Sequence, residues 1–213
     1  MSFITGLGIS GCGKSSTLKV LGKLINFEVL VEPEEDEWPL VAQNRDLYGH
    51  FTEIMWFRSI RVPLLYLAES IKEQGKGAIV DSYYNKVLYH YFEKPGMEWF
   101  IENTDPYFTS LKEITKLDYY NLPNPDVLIN FEIDYEDWVS LLKKRNRNLD
   151  NNQGFKKSYE AQTHILDAGK KVAKEFDIKL ITFKQEITTP LRQAHRLKLE
   201  LEKNNIIPIS KTN

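Results

Sequence analysis

The sequence predicts an α/β fold of three layers, in which a five-stranded parallel sheet is flanked by helices. A glycine-rich loop near the start of the chain stands between a short apolar run and a pattern of helical spacing. Further short apolar runs alternate with amphipathic stretches after it, and such alternation is typical of parallel sheets with right-handed connections. With 213 residues, of which 42% are hydrophobic, we expect a single domain over residues 1–213.

The elements follow from the hydrophobic pattern. Strands are predicted at residues 3–7, 27–31, 77–81, 126–131 and 179–183. Helices are predicted directly after the glycine-rich loop and at residues 44–74, 135–145, 157–176 and 191–203. Two more are predicted, one that ends at residue 92 and one that begins at residue 105. Pro63 is expected to kink or split the helix at 44–74, and Thr189 with Pro190 is expected to cap the last one. We therefore expect residues 190–213 to form a C-terminal helix followed by a loose tail.

The glycine-rich loop at residues 8–15 matches the phosphate-binding pattern at every specified position. Its backbone N–H groups would hold phosphate oxygens at a helix N-terminus. Lys14 would reach the β and γ phosphates, and the Ser15 hydroxyl would be a ligand of Mg²⁺. The strand before the loop and the helix after it favour this interpretation over a chance glycine-rich turn. The predicted phosphate-binding residues are Gly8, Ser10, Gly11, Cys12, Gly13, Lys14, Ser15 and Ser16.

Two carboxylates are predicted at the carboxyl ends of strands, where ligands of open α/β sheets bind. Glu32 follows the second strand, and Pro33 biases it to extended backbone. We expect Glu32 to be the base that takes a proton from a hydroxyl nucleophile. Asp81 ends the third strand, where it would meet Mg²⁺ or the substrate. The acidic run at residues 34–37 is interpreted as a solvated loop.

Cations occur in two places that suit phosphate chemistry. Arg58 and Arg61 are three residues apart on one helix, so they either clamp an anion together or lie in solvent. Lys143 begins a basic helix end that continues through Arg145 to Arg147 and a polar loop. Residues 143–156 are therefore predicted to be a lid over a triphosphate; the alternative is a set of cations that stabilise a helix C-terminus. Residues 184–186 are predicted to form a loop beside the adenine.

Composition limits the partners. The formal net charge is -2, so we expect neither nucleic acid nor a membrane surface as a partner. The single cysteine, Cys12, allows no internal disulfide; it is either a small filler of the loop or, less in keeping with the pattern, a reactive thiol. No apolar run reaches about 18 residues, and the loop lies too near the start for a signal peptide. We expect a cytoplasmic protein.

Together these segments resemble the deoxynucleoside kinases, which share a P-loop kinase fold with thymidylate kinases. Glu32-Pro33 followed by Trp38 is similar to that family's Glu-Pro-x-x-x-Trp motif, and Phe57-Arg58 to its Phe-Gln pair. Arg145-x-Arg147-x-x-Asp150 is similar to its lid pattern, Asp81 to the acid of its Asp/Glu-Arg motif, and Tyr48 stands near its sugar-binding tyrosine. The likeness covers about residues 2–185.

The resemblance implies an ATP- and Mg²⁺-dependent kinase that phosphorylates the 5′-hydroxyl of a deoxynucleoside or a similar small alcohol. It implies catalytic roles for Lys14, Glu32, Arg145 and Arg147, and a homodimer. The substrate-binding residues would be Glu32, Trp38, Tyr48, Arg58, Arg61, Asp81 and Asp150, and the metal ligands Ser15 and Asp81.

The sequence also departs from the family pattern. Ser82 stands where the family has an arginine after the acid, and Arg58 where it has glutamine, which both donates and accepts hydrogen bonds. Asp150 is shorter than the family's glutamate, and extra residues separate Glu32 from Trp38. Two alternatives therefore stay open: a thymidylate-type kinase whose Arg58 and Arg61 bind an acceptor phosphate, and a regulatory nucleotide-binding protein with vestigial chemistry.

Overall fold

A computed structural model describes residues 1–94, 97, 100–145 and 155–209. Its five strands form one parallel sheet, in the order β2-β3-β1-β4-β5. The strands are Phe3–Gly8 (β1), Glu28–Leu30 (β2), Ala78–Val80 (β3), Val127–Ile133 (β4) and Lys179–Gln185 (β5). The predicted α/β fold with its five-stranded parallel sheet is confirmed.

The helices lie between and after these strands. They are Lys14–Ile25 (α1), Leu40–Gln43 (α2), Arg45–Tyr48 (α3), His50–Glu73 (α4), Tyr84–Val87 (α5), Phe108–Asn121 (α6), Tyr135–Arg145 (α7), Phe155–Glu175 (α8) and Pro190–Lys203 (α9). Short 3₁₀ turns occupy Glu35–Glu37 and Leu88–His90. The central strand β1 is buried along its whole length, as expected for a parallel sheet that is covered on both faces.

Apolar side chains form a separate core on each face of the sheet. Phe3 and Leu7 of β1 pack on one face with Leu65 of α4 and Val172 of α8. Ile4, which points to the opposite face, packs with Leu18 of α1 and with α7 and α9. The period of two along a strand sends successive side chains to opposite faces. The result is the expected sandwich of helices, sheet and helices.

Helix α4 differs from its predicted form at its start and at Pro63. It begins at His50, after two single-turn helices, and not at residue 44. It also continues through Pro63 as one element of 24 residues, so it is not split there. Proline removes one backbone N–H, but Pro63 is exposed, and Leu65, Ala68 and Ile71 beyond it are buried in the core. Packing of that second half therefore keeps the helix continuous.

Other boundaries were also predicted wrongly, and α6, for example, begins at Phe108 and not at residue 105. The helix expected up to residue 92 is a single α-helical turn, α5, followed by a 3₁₀ turn. Strand β5 extends to Gln185, so the residues expected in a loop at its end belong partly to the sheet. By contrast, α7 and the Thr189 cap of α9 match the prediction, and the Thr189 hydroxyl accepts a hydrogen bond from the Arg192 N–H at 3.3 Å. Within the described residues, no helix combines the length and hydrophobicity that crossing a membrane requires.

Candidate active site

A cavity of about 700 Å³ opens at the carboxyl ends of β1, β2 and β3. Its walls come from the phosphate loop, from the segment after β2, and from α4, α7 and α8. Ligands of open α/β folds bind at this edge of the sheet. Lys14, Glu32, Arg61, Asp81 and Arg145, which lie far apart in the sequence, all line the cavity.

The glycines of the phosphate loop are required by its geometry. Gly11 and Gly13 have φ angles of 79° and 84°, in the left-handed region that only glycine adopts without strain. A side chain at Gly8 would lie 2.8 Å from the Phe131 carbonyl oxygen of β4. The loop therefore turns tightly against the sheet and leads directly into α1.

Side chains from three other elements hold the loop from outside. Trp138 Nε1 of α7 donates a hydrogen bond to the Ser10 carbonyl at 2.8 Å. Gln185 Nε2 at the end of β5 donates to the Cys12 carbonyl and to Thr17 Oγ1, both at 3.1 Å. The Tyr84 hydroxyl of α5 donates to the Gly8 carbonyl. These contacts place the loop before any ligand arrives, which reduces the cost of ordering it.

Cys12 fills space behind this loop. Its side chain is 1% exposed, and burial raises the pKa of the thiol, although Lys14 and nearby hydrogen bonds act in the opposite direction. A thiol with a raised pKa carries little thiolate. The filler interpretation of Cys12 is therefore favoured over a reactive thiol.

Lys14 and Asp81 meet at the floor of the cavity. Lys14 is 9% exposed, and its Nζ donates to the main-chain carbonyl of Asp81. Asp81 is 3% exposed, and its Oδ1 accepts a hydrogen bond from the Glu32 N–H at 3.4 Å. Because β1 and β2 both pair with β3, the three residues at their ends lie together as the sequence predicted.

Glu32 and Arg61 form a bidentate ion pair beside Lys14. Arg61 Nε and one terminal nitrogen each lie 2.9 Å from a Glu32 carboxylate oxygen, and the two side chains are 16% and 17% exposed. Burial acts to raise the pKa of Glu32, but Arg61 and, less strongly, Lys14 outweigh it and lower that pKa to about 2. Glu32 is therefore fully ionised at neutral pH.

Comparisons with known proteins fit this geometry. No protein-family model matches the chain. It is 30% identical over 156 residues to the deoxyadenosine/deoxycytidine kinase of Bacillus subtilis, across 70% of this chain and 68% of that protein. The chain belongs to the deoxynucleoside kinase family. It is also 25% identical over 157 residues to the deoxyguanosine kinase of Lactobacillus johnsonii, across 70% of this chain and 66% of that protein. About two thirds of each relative is thus matched.

The fold of this deoxynucleoside kinase family member is shared with solved structures. A deoxyadenosine kinase from M. mycoides with bound dATP superposes with a TM-score of 0.70, at 19% identity over 94% of this chain and 99% of that one. At that identity the likeness establishes the fold. The family resemblance that was based on Glu32-Pro33, Trp38 and the arginine lid is confirmed.

Arg58 does not lie where its position in the family's Phe-Gln pair suggests. Its guanidinium forms a bidentate pair with Asp118 of α6, at 2.8 and 2.7 Å, and Arg61, not Arg58, is among the described residues that line the cavity. Three residues on a helix differ by about 60° in direction, so α6 engages one arginine while Glu32 engages the other. Neither of the two alternatives for these arginines, a shared anion or a position in solvent, describes the structure, because Arg58 and Arg61 each pair with a different carboxylate.

The other family positions have mixed outcomes. Trp38 lines the cavity, where its ring meets Phe57 edge-on at 4.9 Å and its Nε1 donates to the Pro33 carbonyl at 3.0 Å. Tyr48, at the end of α3, is 43% exposed and is not among the described residues that line the cavity, so the structure does not bring it to the site. Gln185 was expected in a loop beside the adenine, but it is a buried residue of β5 that holds the phosphate loop.

The predicted lid at residues 143–156 is only partly described. Arg145 ends α7 and lines the cavity together with Lys144. Arg147 and Asp150 lie outside the described residues. Ser82, the second residue after β3, is buried. It stands where the family has an arginine, and in this site Arg61 supplies a cation beside Glu32.

Two further residues line the cavity, Arg45 of α3 and Glu53 of α4, and the sequence analysis did not single out either of them. Their charged groups lie 4.0 Å apart. One signal was available: Glu53, Phe57 and Arg61 recur at intervals of four, which places them on one face of a helix. Nothing in the sequence marked Arg45.

Proposed function

We propose that this chain is an ATP-dependent kinase that transfers a phosphoryl group to the 5′-hydroxyl of a deoxynucleoside. The observation that carries the proposal is that the phosphate loop with Lys14 and the Glu32–Arg61 pair line one and the same cavity. A phosphate donor would lie on the loop, and a hydroxyl acceptor beside Glu32 would be adjacent to it. Phosphoryl transfer requires mainly this positioning together with compensation of charge.

The donor half of the cavity suits Mg-ATP. The loop N–H groups and Lys14 would hold the phosphates. Ser15 and Asp81 line the cavity, and their hydroxyl and carboxylate oxygens are the hard donors that Mg²⁺ prefers. The described residues contain no group of three or more His, Cys, Asp or Glu placed to hold a metal, but Mg²⁺ takes few protein ligands besides waters and substrate phosphates. When bound, Mg²⁺ neutralises phosphate charge.

Glu32 would orient the acceptor hydroxyl. With a pKa of about 2 it is a weak base, but a loose transition state demands little proton removal before the phosphoryl group moves. Accepting a hydrogen bond from the hydroxyl is enough to aim its oxygen at the donor. Arg61, held against Glu32 and over the Phe57 ring at 4.4 Å, would offset charge on the transferring group. Arg145 and Arg147 would add to that role from the lid.

The remaining assignments follow the family. We propose one domain with a lid at residues 143–156, a small-molecule nucleoside as substrate, a homodimer and a cytoplasmic location. The placement of Arg58 does not favour a thymidylate-type kinase, because its pairing with Asp118 removes one of the two cations that an acceptor phosphate would need. The cation of Arg61 beside Glu32 likewise weakens the case for vestigial chemistry, which rested on Ser82.

Release of ADP from Mg-ATP tests this function. Purified protein would be assayed with a panel of deoxynucleosides and their monophosphates, and Lys14→Ala would serve as the blank. We expect release that depends on a deoxynucleoside and is lost in Lys14→Ala. Release that depends only on monophosphates would point to the thymidylate-type kinase, and tight ATP binding without any acceptor-dependent release would point to a regulatory protein.

A further inference from the structure

A carboxylate and a guanidinium face the cavity on the acceptor side, and the proposed chemistry uses neither. Glu53 belongs to α4 and Arg45 to α3, and both line the cavity. Their side chains are 16% and 23% exposed, so both are largely removed from solvent. Buried charged groups are retained at sites where they bind something or are paired.

Helix α4 relates this pair to the reacting end of the cavity. Glu53, Phe57 and Arg61 lie on one face of the helix at intervals of four residues, and all three line the cavity. Arg61 bonds Glu32 at one end, and Glu53 lies two turns away, about 12 Å along the helix axis. Lys14 is among the charges that shift the pKa of Glu32, whereas the charges that shift the pKa of Glu53 are those of Arg45, His50, Arg61 and Asp46. An acceptor with its hydroxyl at Glu32 would therefore extend along α4 towards Glu53.

The Arg45–Glu53 ion pair has a longer distance between its charged groups than the other two arginine–carboxylate pairs of this region. Its closest nitrogen and oxygen are 4.0 Å apart, which is too long for a hydrogen bond. The Arg61–Glu32 and Arg58–Asp118 pairs are bidentate, with distances of 2.7 to 2.9 Å. Burial raises the pKa of Glu53, although Arg45 acts against it. The hydrogen-bonding capacity of this pair thus remains open to a ligand, and a ligand that used it would relieve the cost of burial.

The walls between the two ends suit a flat ring. Trp38, Phe57 and Phe100 line the cavity, and Phe57 lies between Glu53 and Arg61 on α4. Aromatic faces stack on any nucleobase, because every base has a π face. Discrimination among bases must then come from polar groups at the edge of the ring.

We propose that Glu53 and Arg45 read the nucleobase of the acceptor, and that they select a base that presents an amino group to the Glu53 carboxylate and an acceptor atom to the Arg45 guanidinium, guanine being the best match. This inference rests on the proposed function. A carboxylate only accepts hydrogen bonds and a guanidinium only donates them. Guanine offers two adjacent donors, N1–H and the N2 amino group, to Glu53, and its O6 to Arg45, which allows a charge-assisted pairing on both sides.

Other bases match the pair less well. Adenine and cytosine present one amino group to Glu53 and ring or carbonyl acceptors to Arg45. Thymine carries a carbonyl on each side of its single N–H, so one carbonyl would face the Glu53 carboxylate. Two acceptors that face each other away from water are strongly disfavoured, because neither the thymine carbonyl nor the Glu53 carboxylate then has a hydrogen-bond donor. We therefore expect the order deoxyguanosine, then deoxyadenosine and deoxycytidine, with thymidine poorest.

Kinetics with the full chain test the assignment. ADP release from Mg-ATP would be measured with deoxyguanosine, deoxyinosine, which lacks the N2 amino group, deoxyadenosine, deoxycytidine and thymidine. The wild type should prefer deoxyguanosine to deoxyinosine by about tenfold in kcat/KM. Glu53→Gln should remove most of that preference, and Arg45→Gln should lower kcat/KM for every amino-bearing base. Glu73→Gln is the matched control, because Glu73 is exposed on the same helix. It should change neither the preference for deoxyguanosine over deoxyinosine nor kcat/KM for the amino-bearing bases.

The outcomes separate the two proposals. Turnover of thymidine or deoxyinosine equal to that of deoxyguanosine by the wild type would overturn the base-reading role while leaving the kinase assignment intact, and this comparison needs no variant to fold. Unchanged preferences in folded Glu53→Gln and Arg45→Gln would do the same. Failure of every nucleoside to stimulate ADP release would instead overturn the proposed function itself, and this inference with it.

Discussion

Glu32 and Arg61 are both largely removed from solvent, and each makes the partial burial of the other tolerable. The bidentate pair uses both oxygens of the carboxylate, and the Arg61 guanidinium also lies 4.4 Å from the centre of the Phe57 ring and 5.2 Å from that of Tyr84. Burial alone would raise the pKa of Glu32, and Arg61 is the main cause that lowers it to about 2. Arg61 therefore does more than any other side chain to keep the carboxylate able to accept a hydrogen bond from the acceptor hydroxyl.

Arg61→Gln should give the enzyme an acid limb that the wild type lacks. Without the guanidinium, burial dominates, and the pKa of Glu32 rises above its ordinary value of 4.5. The carboxylate then becomes protonated as the pH falls through that higher pKa, and kcat/KM should fall with it. Profiles of kcat/KM measured from about pH 5 to 8 would show the limb in the variant and none in the wild type.

Arg58→Gln is the matched control, since Arg58 lies on the same helix and pairs bidentately with Asp118, which is 4% exposed. Each substitution leaves a carboxylate without its partner, so each should lower the free energy of unfolding, by about 3 kcal/mol. Only Arg61→Gln should move the pH profile. Equal movement in both variants would mean that lost stability, and not the charge on Glu32, changes the rate.

At the scale of elements, the sequence predicted what depends on local pattern and missed what depends on packing. The bounds of α7 follow from its own periodicity, and the predicted range is the observed one. The unbroken course of α4 depends on core contacts beyond Pro63, which no local pattern reveals. Strand β5 gains two residues because Lys184 and Gln185 pair with Glu132 and Ile133 of β4.

The residues of the candidate site likewise include some that local pattern predicts and some that packing alone places. The phosphate loop, Glu32 and Asp81 could be predicted because motif and strand-end position alone place them in the cavity. The direction of Arg58 could not, because it depends on Asp118, which is 60 residues away in the sequence. Arg45 and Glu53 were missed because their meeting depends on how α3 turns onto α4.

The end of β5 should control the affinity for ATP. Gln185→Met replaces the side chain by an apolar one of similar length, so the phosphate loop loses the hydrogen bonds to the Cys12 carbonyl and Thr17. A buried carbonyl left unsatisfied costs about 1–3 kcal/mol, so KM for ATP should rise by about tenfold while KM for the nucleoside stays constant. Thr182→Val, exposed on the same strand, should leave both constants unchanged. A rise in the nucleoside KM alone would contradict the anchoring role.

The cavity connects the two cores of the molecule. Its lining includes Ile165 of the core that contains α4 and α8, Ile54, which packs against that core, and Trp138 and Leu142 of the core that contains α7. A nucleotide that occupies the cavity thus contacts elements on both faces of the sheet. Since it binds only the folded chain, it should stabilise the molecule as one unit.

Thermal unfolding with and without Mg-ATP tests this coupling. At a nucleotide concentration of about one hundred times Kd, the free energy of unfolding should rise by about 2.7 kcal/mol, which for a chain of this size raises Tm by roughly 5–10 °C. Lys14→Ala should start from a lower Tm, because Lys14 Nζ bonds the Asp81 carbonyl, and should gain almost nothing from Mg-ATP. Lys23→Ala, exposed in the last turn of α1, should respond like the wild type. An equal shift in Lys14→Ala and the wild type would mean that the nucleotide binds outside the phosphate loop. A shift confined to one of two separate transitions would mean that the two cores unfold independently.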